Sequence, residues 1–507
     1  MNFKFTNNQL ILLLSFIYYL PVILLNEYFL DDHYRVLTGD YAWVGDYRPL
    51  ADYLYYILGL SFDVVDTFPI PYIIQYFIIS IILSYLVLGI LNRFEIKKEL
   101  ISYIIIICFF IFLNPFFLQN LYFRFDSIVM VFTIMIILLL LIVQQIKIEF
   151  FALLIVLFLY QSSIIGYPII VCINVIYLIL KNNTRGSIYR YSISRIFVFF
   201  FSIFVFYLIS SNFIQSNSYA SSHFNIVESI LKLKQNIVLS LSNLSFSNSL
   251  LDYVLIYFSL IFTVVFVFEA LKNNTKIFFI DKIFFSFFLC FLLLIAVLNI
   301  NIFLEIPRLY SRTYIGFGFF LFFTFFVNIL LISYNENNKD LNKYFYLIKL
   351  NILVFLFILI NISYVNFNYF KNKIEFNKKI INFIEYDLNT LNLFKFNNFI
   401  IGGEIVETKR EKILSKRYPV IKTNFSDYLN TERHRVIYEE LKNNGYNFRT
   451  YGLYQLSNRK LYNEMIKEKA VIVRKDYDIV VKGESVFIFF KKEGNRQKVL
   501  IDKNRLN

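Results

Sequence analysis

This chain of 507 residues is poor in the residues that build most catalytic and metal sites. It has 3 cysteines, 3 histidines and a single tryptophan, and only 17% of its residues are charged, against roughly 25% in an average soluble protein. Cys108, Cys172 and Cys290 each lie inside an apolar run. They form no CxxC pair, so a disulfide framework and a zinc site are excluded and buried, inert thiols are expected. His33, His223 and His434 are scattered singly and offer no ligand cluster. No internal repeat, nucleotide fingerprint or small-residue cleavage site after the first apolar run is visible.

What the chain has instead is apolar bulk. Hydrophobic residues make up 58% of it and aromatics 20%, which excludes a disordered protein and argues against an ordinary soluble enzyme. A bilayer span needs about 20 apolar residues at 1.5 Å rise. Eleven runs are candidates: 9–26, 70–92, 100–113, 127–146, 148–160, 164–180, 196–212, 251–271, 283–302, 314–333 and 345–366. The predicted class is therefore an α-helical polytopic membrane protein, residues 1–370, followed by a polar tail, 371–507. The first run has no cleavage site and reads as a retained anchor.

The formal charge of +14 sits mainly in that tail. Residues 1–370 carry 22 Lys and Arg against 19 Asp and Glu, whereas 371–507 carry 28 against 17. With Ile, Asn, Lys, Phe and Tyr abundant and 7 alanines, the excess reads as codon drift or as attraction to anionic surfaces. It does not argue for nucleic acid. Loop charges orient the chain: with the N-terminus inside, 14 Lys and Arg fall in cytoplasmic segments and 7 in the opposite loops. The C-terminal tail is then extracytoplasmic, on the same side as the first loop, 27–69.

That loop concentrates the ionisable groups. It reads Phe29-Leu30-Asp31-Asp32-His33-Tyr34-Arg35, then Gly39 and Trp43, then Asp46-Tyr47-Arg48-Pro49-Leu50-Ala51. Adjacent carboxylates repel, so one can keep a raised pKa and accept a proton near neutrality. They also suit a helix N-terminus or a solvated loop. Arg35 is placed to pair with Asp32 or to bind phosphate, and Trp43 suits a membrane interface or a sugar ring.

An aspartate pair directly after the first span resembles the polyprenyl-phosphate-sugar-dependent glycosyltransferases of the GT-C class. More narrowly, the loop pattern is similar to the O-antigen-modifying glucosyltransferases of serotype conversion. Arg124-Phe125-Asp126-Ser127 with Met130, Tyr160-Gln161-Ser162-Ser163, and Pro307-Arg308 before a span extend the resemblance in the same order. It implies a GT-C-like fold and transfer of a hexose, glucose foremost, from a polyprenyl-phosphate carrier to a cell-surface glycan, in the bacterial inner membrane. Asp31 or Asp32 would be the base, and Arg48, Arg124, Arg308 and Arg312 would hold the donor phosphate. Arg35, Trp43, Asp46, Asp126 and Gln161 would contact sugar or acceptor. Each has a plainer reading: Arg124 and Asp126 paired across a turn, Gln161 satisfying backbone at a helix break, Arg308 and Arg312 as headgroup anchors. Paired carboxylates leave Mg²⁺ or Mn²⁺ open. Membrane lipids, a donor synthase and a flippase are the implied partners.

The tail predicts a small α/β domain. Phe399–Ile401, Val471–Val473, Tyr477–Lys482 and Ser485–Lys491 read as strands, and 431–444 as a helix with Thr431 as cap and Gly445 as stop. Its expected role is to hold the acceptor polymer. The Ser- and Asn-rich stretch 212–250 matches nothing recognised. The alternative class is a transporter, flippase or polymerase of lipid-linked saccharides. A carrier should show paired halves with charges at the midplane, and a polymerase should lack the aspartate pair.

Overall fold

The computed structural model describes residues 6–214, 226–273, 278–305, 307, 309–334, 339–393, 396, 398–403, 405, 407–425, 435–446, 449–450, 464–465, 468–483 and 485–491. Two compact units divide the chain. The first comprises Met1–Glu27, Asp40–Phe367 and Arg417–Asn424; the second comprises Tyr28–Gly39, Asn368–Lys416 and Phe425–Asn507. A single cut at 370 therefore does not describe the division. A short stretch of the first loop belongs with the tail, and a short stretch of the tail belongs with the helical unit.

The helical unit begins with α1 (Asn7–Leu25), whose start is fixed by a reciprocal cap between Thr6 and Gln9. There follow α3 (Pro49–Gly59), α4 (Ile70–Phe94), α5 (Ile101–Phe112), α6 (Leu118–Tyr122), α7 (Ser127–Leu139), α8 (Ile146–Leu159), α9 (Gly166–Leu180) and α10 (Arg185–Phe213). The unit continues through α11 (Ile226–Asn243), α12 (Leu250–Asn273), α13 (Phe279–Leu298) and α14 (Ile315–Tyr334) into α15 (Lys339–Thr390). The helix α2 (Asp31–Thr38) lies in the other unit.

Among the described residues seven helices are long and apolar enough to cross a membrane, against the eleven spans predicted. They are α1, α4, Gln161–Leu180, α10, Ile280–Leu298, α14 and Phe345–Thr390. Of the other runs, 100–113, 127–146 and 148–160 form helices of 12, 13 and 14 residues, too short to span by themselves, and 251–271 lies in the 24-residue α12. The helix of run 127–146 ends at Leu139, ahead of Gln144-Gln145. Large apolar side chains point outward along α4 and α10, among them Phe77, Ile81, Phe197 and Phe200, as expected of lipid-facing surfaces. Cys108 and Cys172 are buried as predicted, but Cys290 is exposed. It shares the outward side of α13 with Phe287, Phe291 and Leu294.

The helix α14 is the core of this unit and is buried along nearly its whole length. Between apolar helices no hydrophobic force discriminates protein from lipid, so close backbone approach and polar contacts carry the packing. Gly316 supplies the approach: a Cβ there would lie 2.1 Å from the carbonyl oxygen of Ala296 in α13. Polar contacts tie α14 and α15 to α12, with Asn328 Nδ2 donating to the Ser259 carbonyl at 3.1 Å and Asn351 Nδ2 to Ser259 Oγ at 2.5 Å. A buried ion pair joins α8 to α10, Arg195 to Glu149 at 3.0 Å, and Tyr167 of α9 donates to the same carboxylate at 2.5 Å.

The second unit carries a five-stranded sheet of order β2-β1-β5-β4-β3, with β1 Asn398–Gly403, β2 Arg449–Thr450, β3 Ile472–Val473, β4 Tyr477–Lys482 and β5 Ser485–Phe490. Here β1 runs parallel to β2 and β5, whereas β5-β4-β3 are antiparallel. The four predicted strands are present, and β4 and β5 form the predicted hairpin at Gly483. Ile400, Met465, Val480, Phe487 and Phe489 fill its core. The helices α16 (Lys409–Arg417) and α17 (Pro419–Phe425) were not predicted; α18 (Arg435–Asn443) was, although its proposed cap Thr431 lies outside the described residues. The Tyr438 hydroxyl accepts from the Ile401 N–H at 2.9 Å and donates to the Phe399 carbonyl at 3.1 Å, riveting α18 to β1. Burial pushes this phenol well above its usual range, so it stays a donor. In the same unit Asp387 of α15 accepts from Arg474 and Tyr477.

Two substitutions test this packing. Gly316→Leu is expected to abolish recovery of monodisperse protein in detergent, because a backbone carbonyl cannot yield as a side chain can. Glu149→Ala should lower stability by about 3–5 kcal/mol, since it strands Arg195 in an apolar setting. A thermal melt followed by size-exclusion chromatography reads both.

Candidate functional site

The predicted site residues fall into two groups, one in each unit. In the helical unit they come from three breaks between helices and from the segment ahead of α3. Trp43 begins the construction. Its indole is 1% exposed, stacks on Tyr41 at 5.3 Å and packs against Tyr55 at 5.0 Å. The indole N–H donates to Asp126 Oδ1 at 2.7 Å. A platform for a sugar needs an open face, so this indole is a wall of the site, and what it presents is the positioned carboxylate of Asp126.

Arg48 stands at the start of α3, where Pro49 at the first helical position fixes the entry. Its Nε donates to Gln161 Oε1 at 3.1 Å, its terminal nitrogen lies 3.9 Å from Asp126 Oδ1, and its guanidinium covers the Tyr160 ring at 4.8 Å. The side chain remains 24% exposed. Gln161 opens the short turn between α8 and α9. It donates back to the carbonyls of Asp46 and Tyr47 at 3.2 and 3.1 Å. Asp46, half-buried, thus enters through its backbone. One glutamine locks a helix break onto the first loop, which joins the backbone-satisfying reading to the side-chain one.

Arg312 is held through its main chain. Its N–H donates to Gln119 Oε1 at 2.8 Å, and its carbonyl accepts from Asn120 Nδ2 at 3.0 Å and from the Tyr160 hydroxyl at 3.4 Å. The guanidinium lies on the Phe123 ring at 4.6 Å. Tyr160 thus links Arg48 and Arg312. In the sequence Tyr160 stands in the motif before Gln161 without an assigned role, and Gln119 and Asn120 stand outside every motif. Two amides inside an otherwise apolar run after Pro115 were the available signal.

Arg124 goes elsewhere. It pairs with Asp66 and donates to Asn26 Oδ1 at 2.8 Å, with its guanidinium over Phe68 at 4.5 Å. These contacts hold the guanidinium read from sequence as a phosphate ligand, and Phe125 beside it is buried. Arg308 lies outside the described residues.

In the second unit α2 presents the aspartates unequally. Asp32 is fully buried; its Oδ2 accepts the Phe29 N–H at 3.1 Å and its Oδ1 lies 3.6 Å from the Arg35 guanidinium. Asp31, the first residue of α2, is only half-buried. Leu30 before it adopts φ 46°, ψ −103°, a strained conformation for a branched side chain. Arg35, read from sequence as a sugar or acceptor contact, is buried against Asp32. Among the described residues no three His, Cys, Asp or Glu side chains cluster as a metal site would require.

Known proteins add little. A protein of Salmonella phage P22, described as an uncharacterized 55.3 kDa protein in the gtrB 5' region, is 28% identical over 274 residues, covering 51% of this chain and 55% of that protein. The chain thus spans about half the length of the curated relative it matches. No family model matches, and no solved structure matches.

The sole tryptophan makes the wall of the site testable. Asp126→Ala removes the acceptor of a buried indole N–H and should cost about 1–3 kcal/mol. Tryptophan emission is expected to move to longer wavelength and to become quenchable by acrylamide. Asp46→Ala, which leaves the backbone carbonyl in place, should leave the emission unchanged.

Proposed function

We propose that this chain is a membrane-embedded glycosyltransferase that moves a hexose, glucose foremost, from a polyprenyl-phosphate carrier to a cell-surface glycan of the O-antigen kind. The observation that carries this reading is the unequal aspartate pair after the first long apolar helix. One carboxylate is tied down by a backbone N–H and an arginine, and its neighbour stays partly accessible. Asp31 is accordingly the base and Asp32 the group that holds the first turn of α2. The description of the phage relative, placed beside gtrB, agrees with glycosylation chemistry.

The reaction balances simply. An acceptor hydroxyl attacks the anomeric carbon, the bond from that carbon to the phosphate oxygen breaks, and Asp31 takes the hydroxyl proton. Polyprenyl phosphate leaves carrying the negative charge and stays in the bilayer. Fixed cations lower the barrier by meeting that charge as it develops. Within the helical unit Arg48 has the form of a phosphate-binding cation, since one edge is held by Gln161 while part of the guanidinium is exposed. Arg312, on an aromatic face with its backbone pinned, is the second candidate. Arg124, committed to Asp66, is a holding residue in this scheme.

The test is incubation of purified protein with polyprenyl-phosphate hexoses and host surface glycan, reading which sugar moves. Asp31→Asn should slow transfer by roughly 10²–10⁴-fold, the usual contribution of a general base. Undiminished transfer in both Asp31→Asn and Asp32→Asn overturns the mechanism. Movement of the intact lipid-linked sugar across vesicles without transfer favours a flippase instead. A reporter fused after Asn507 is expected on the extracytoplasmic side.

A further inference from the structure

The described part of the tail does more than accompany the helices: it contains the aspartate-bearing segment in its own compact unit. Residues Tyr28–Gly39 cluster with Asn368–Lys416 and Phe425–Asn507. The reason lies in four aromatic rings. Phe29 is fully buried and meets Phe370 and Phe425 edge-on at 5.2 and 5.9 Å. Those two rings stack on each other at 4.7 Å, and Tyr28 meets the His33 imidazole edge-on at 5.8 Å.

An eight-residue helix does not persist by itself, and no side chain caps the strained Leu30 at its start. Tertiary contacts must therefore hold α2. On the helix itself one anchor is His33, 2% exposed, whose Nδ1 lies 3.3 Å from Glu440 Oε1 of α18, an ion pair when the imidazole is protonated. That helix is in turn fixed to the sheet through the Tyr438 hydroxyl, and the neighbouring Leu441 is fully buried. A continuous path of contacts runs from β1 through Tyr438 and α18 to Glu440, and from His33 into the first turn of α2.

We infer that Glu440 is a positioning residue for the aspartate pair, and that the C-terminal unit is the scaffold on which α2 is held in working register. The inference rests on the proposed transferase reading for its catalytic consequence, but the anchoring stands on these contacts alone. Displacing a base by about 1 Å can cost on the order of 10²-fold in rate, so a lost anchor should be felt in turnover before binding.

Hydrogen exchange on the full-length protein in detergent reads the anchoring directly. Glu440→Gln keeps the shape and removes the charge; exchange across residues 28–39 is expected to accelerate about tenfold or more, with α14 unchanged. In the transfer assay the same variant should lower kcat about tenfold and leave KM for the polyprenyl-phosphate hexose unchanged. Glu440→Asp should restore part of both, and Asn443→Ala, exposed on the same helix, should alter neither. Unchanged exchange in Glu440→Gln overturns the anchoring. Accelerated exchange with unaltered kcat overturns the positioning role. If the unaltered protein transfers no sugar from any polyprenyl-phosphate hexose while Glu440→Gln still loosens α2, the transferase reading falls and the anchoring survives.

Discussion

Backbone groups released where a helix breaks inside an apolar bundle cannot turn to water, so the protein must satisfy them itself. This single requirement organises the helical unit. The break after α5 is closed by Asn114, whose Nδ2 donates to the Tyr314 carbonyl at 3.1 Å. Gln119 and Asn120 do the same for Asn424 and Arg312. Gln161 closes the break after α8 on the carbonyls of Asp46 and Tyr47, and Asn236 closes that after α13 on Ile302 and Leu304. Each amide spends its donor on another segment. The breaks consequently gather, and the arginines and carboxylate carried at their edges gather with them.

That gathering explains why a stretch of the tail lies in the helical unit. Asn424 is bonded in both directions, donating to the Pro115 carbonyl at 3.2 Å and accepting from Gln119 at 2.9 Å, while Thr423 shares a hydrogen bond with Ser311. Residues 417–424 thereby complete a set of unsatisfied groups that the apolar runs leave behind. The core helix α14 imposes the complementary condition. With Gly316 pressed on the α13 backbone, the loop that precedes α14 has little freedom, and Arg312 inherits that rigidity.

Much of this was legible before any coordinates. Apolar runs, the strands around Gly483 and the helix ending at Gly445 follow from periodicity and turn chemistry, which are local. The failures share one cause, which is that burial is decided by partners distant in sequence. Trp43 reads as an interfacial or sugar-facing ring until Tyr41, Tyr55 and Asp126 enclose it. Arg124 reads as a phosphate ligand, and the fold pairs it with Asp66, 58 positions away. Cys290 reads as buried because its run is apolar, yet outward and inward faces of a lipid-exposed helix have the same composition. The change in composition near 370 does not break α15, because Lys and Glu have helix propensities close to that of Leu.

The unequal aspartates show what strain accomplishes here. Of nine non-glycine residues with positive φ among those described, Leu30, Ala42, Tyr47 and Leu60 lie in the first loop and Asn26 directly before it. Each such residue costs of order 1–3 kcal/mol and persists only where its surroundings over-determine it. At Leu30 the strain turns the chain so that Asp32 can fold back onto the Phe29 N–H. Successive residues of an α-helix point about 100° apart. With Asp32 committed inward and paired with Arg35, Asp31 must therefore leave that contact. A doublet of identical residues thus yields one fully buried and one half-buried carboxylate, an asymmetry set by the backbone at Leu30 rather than by the aspartates themselves.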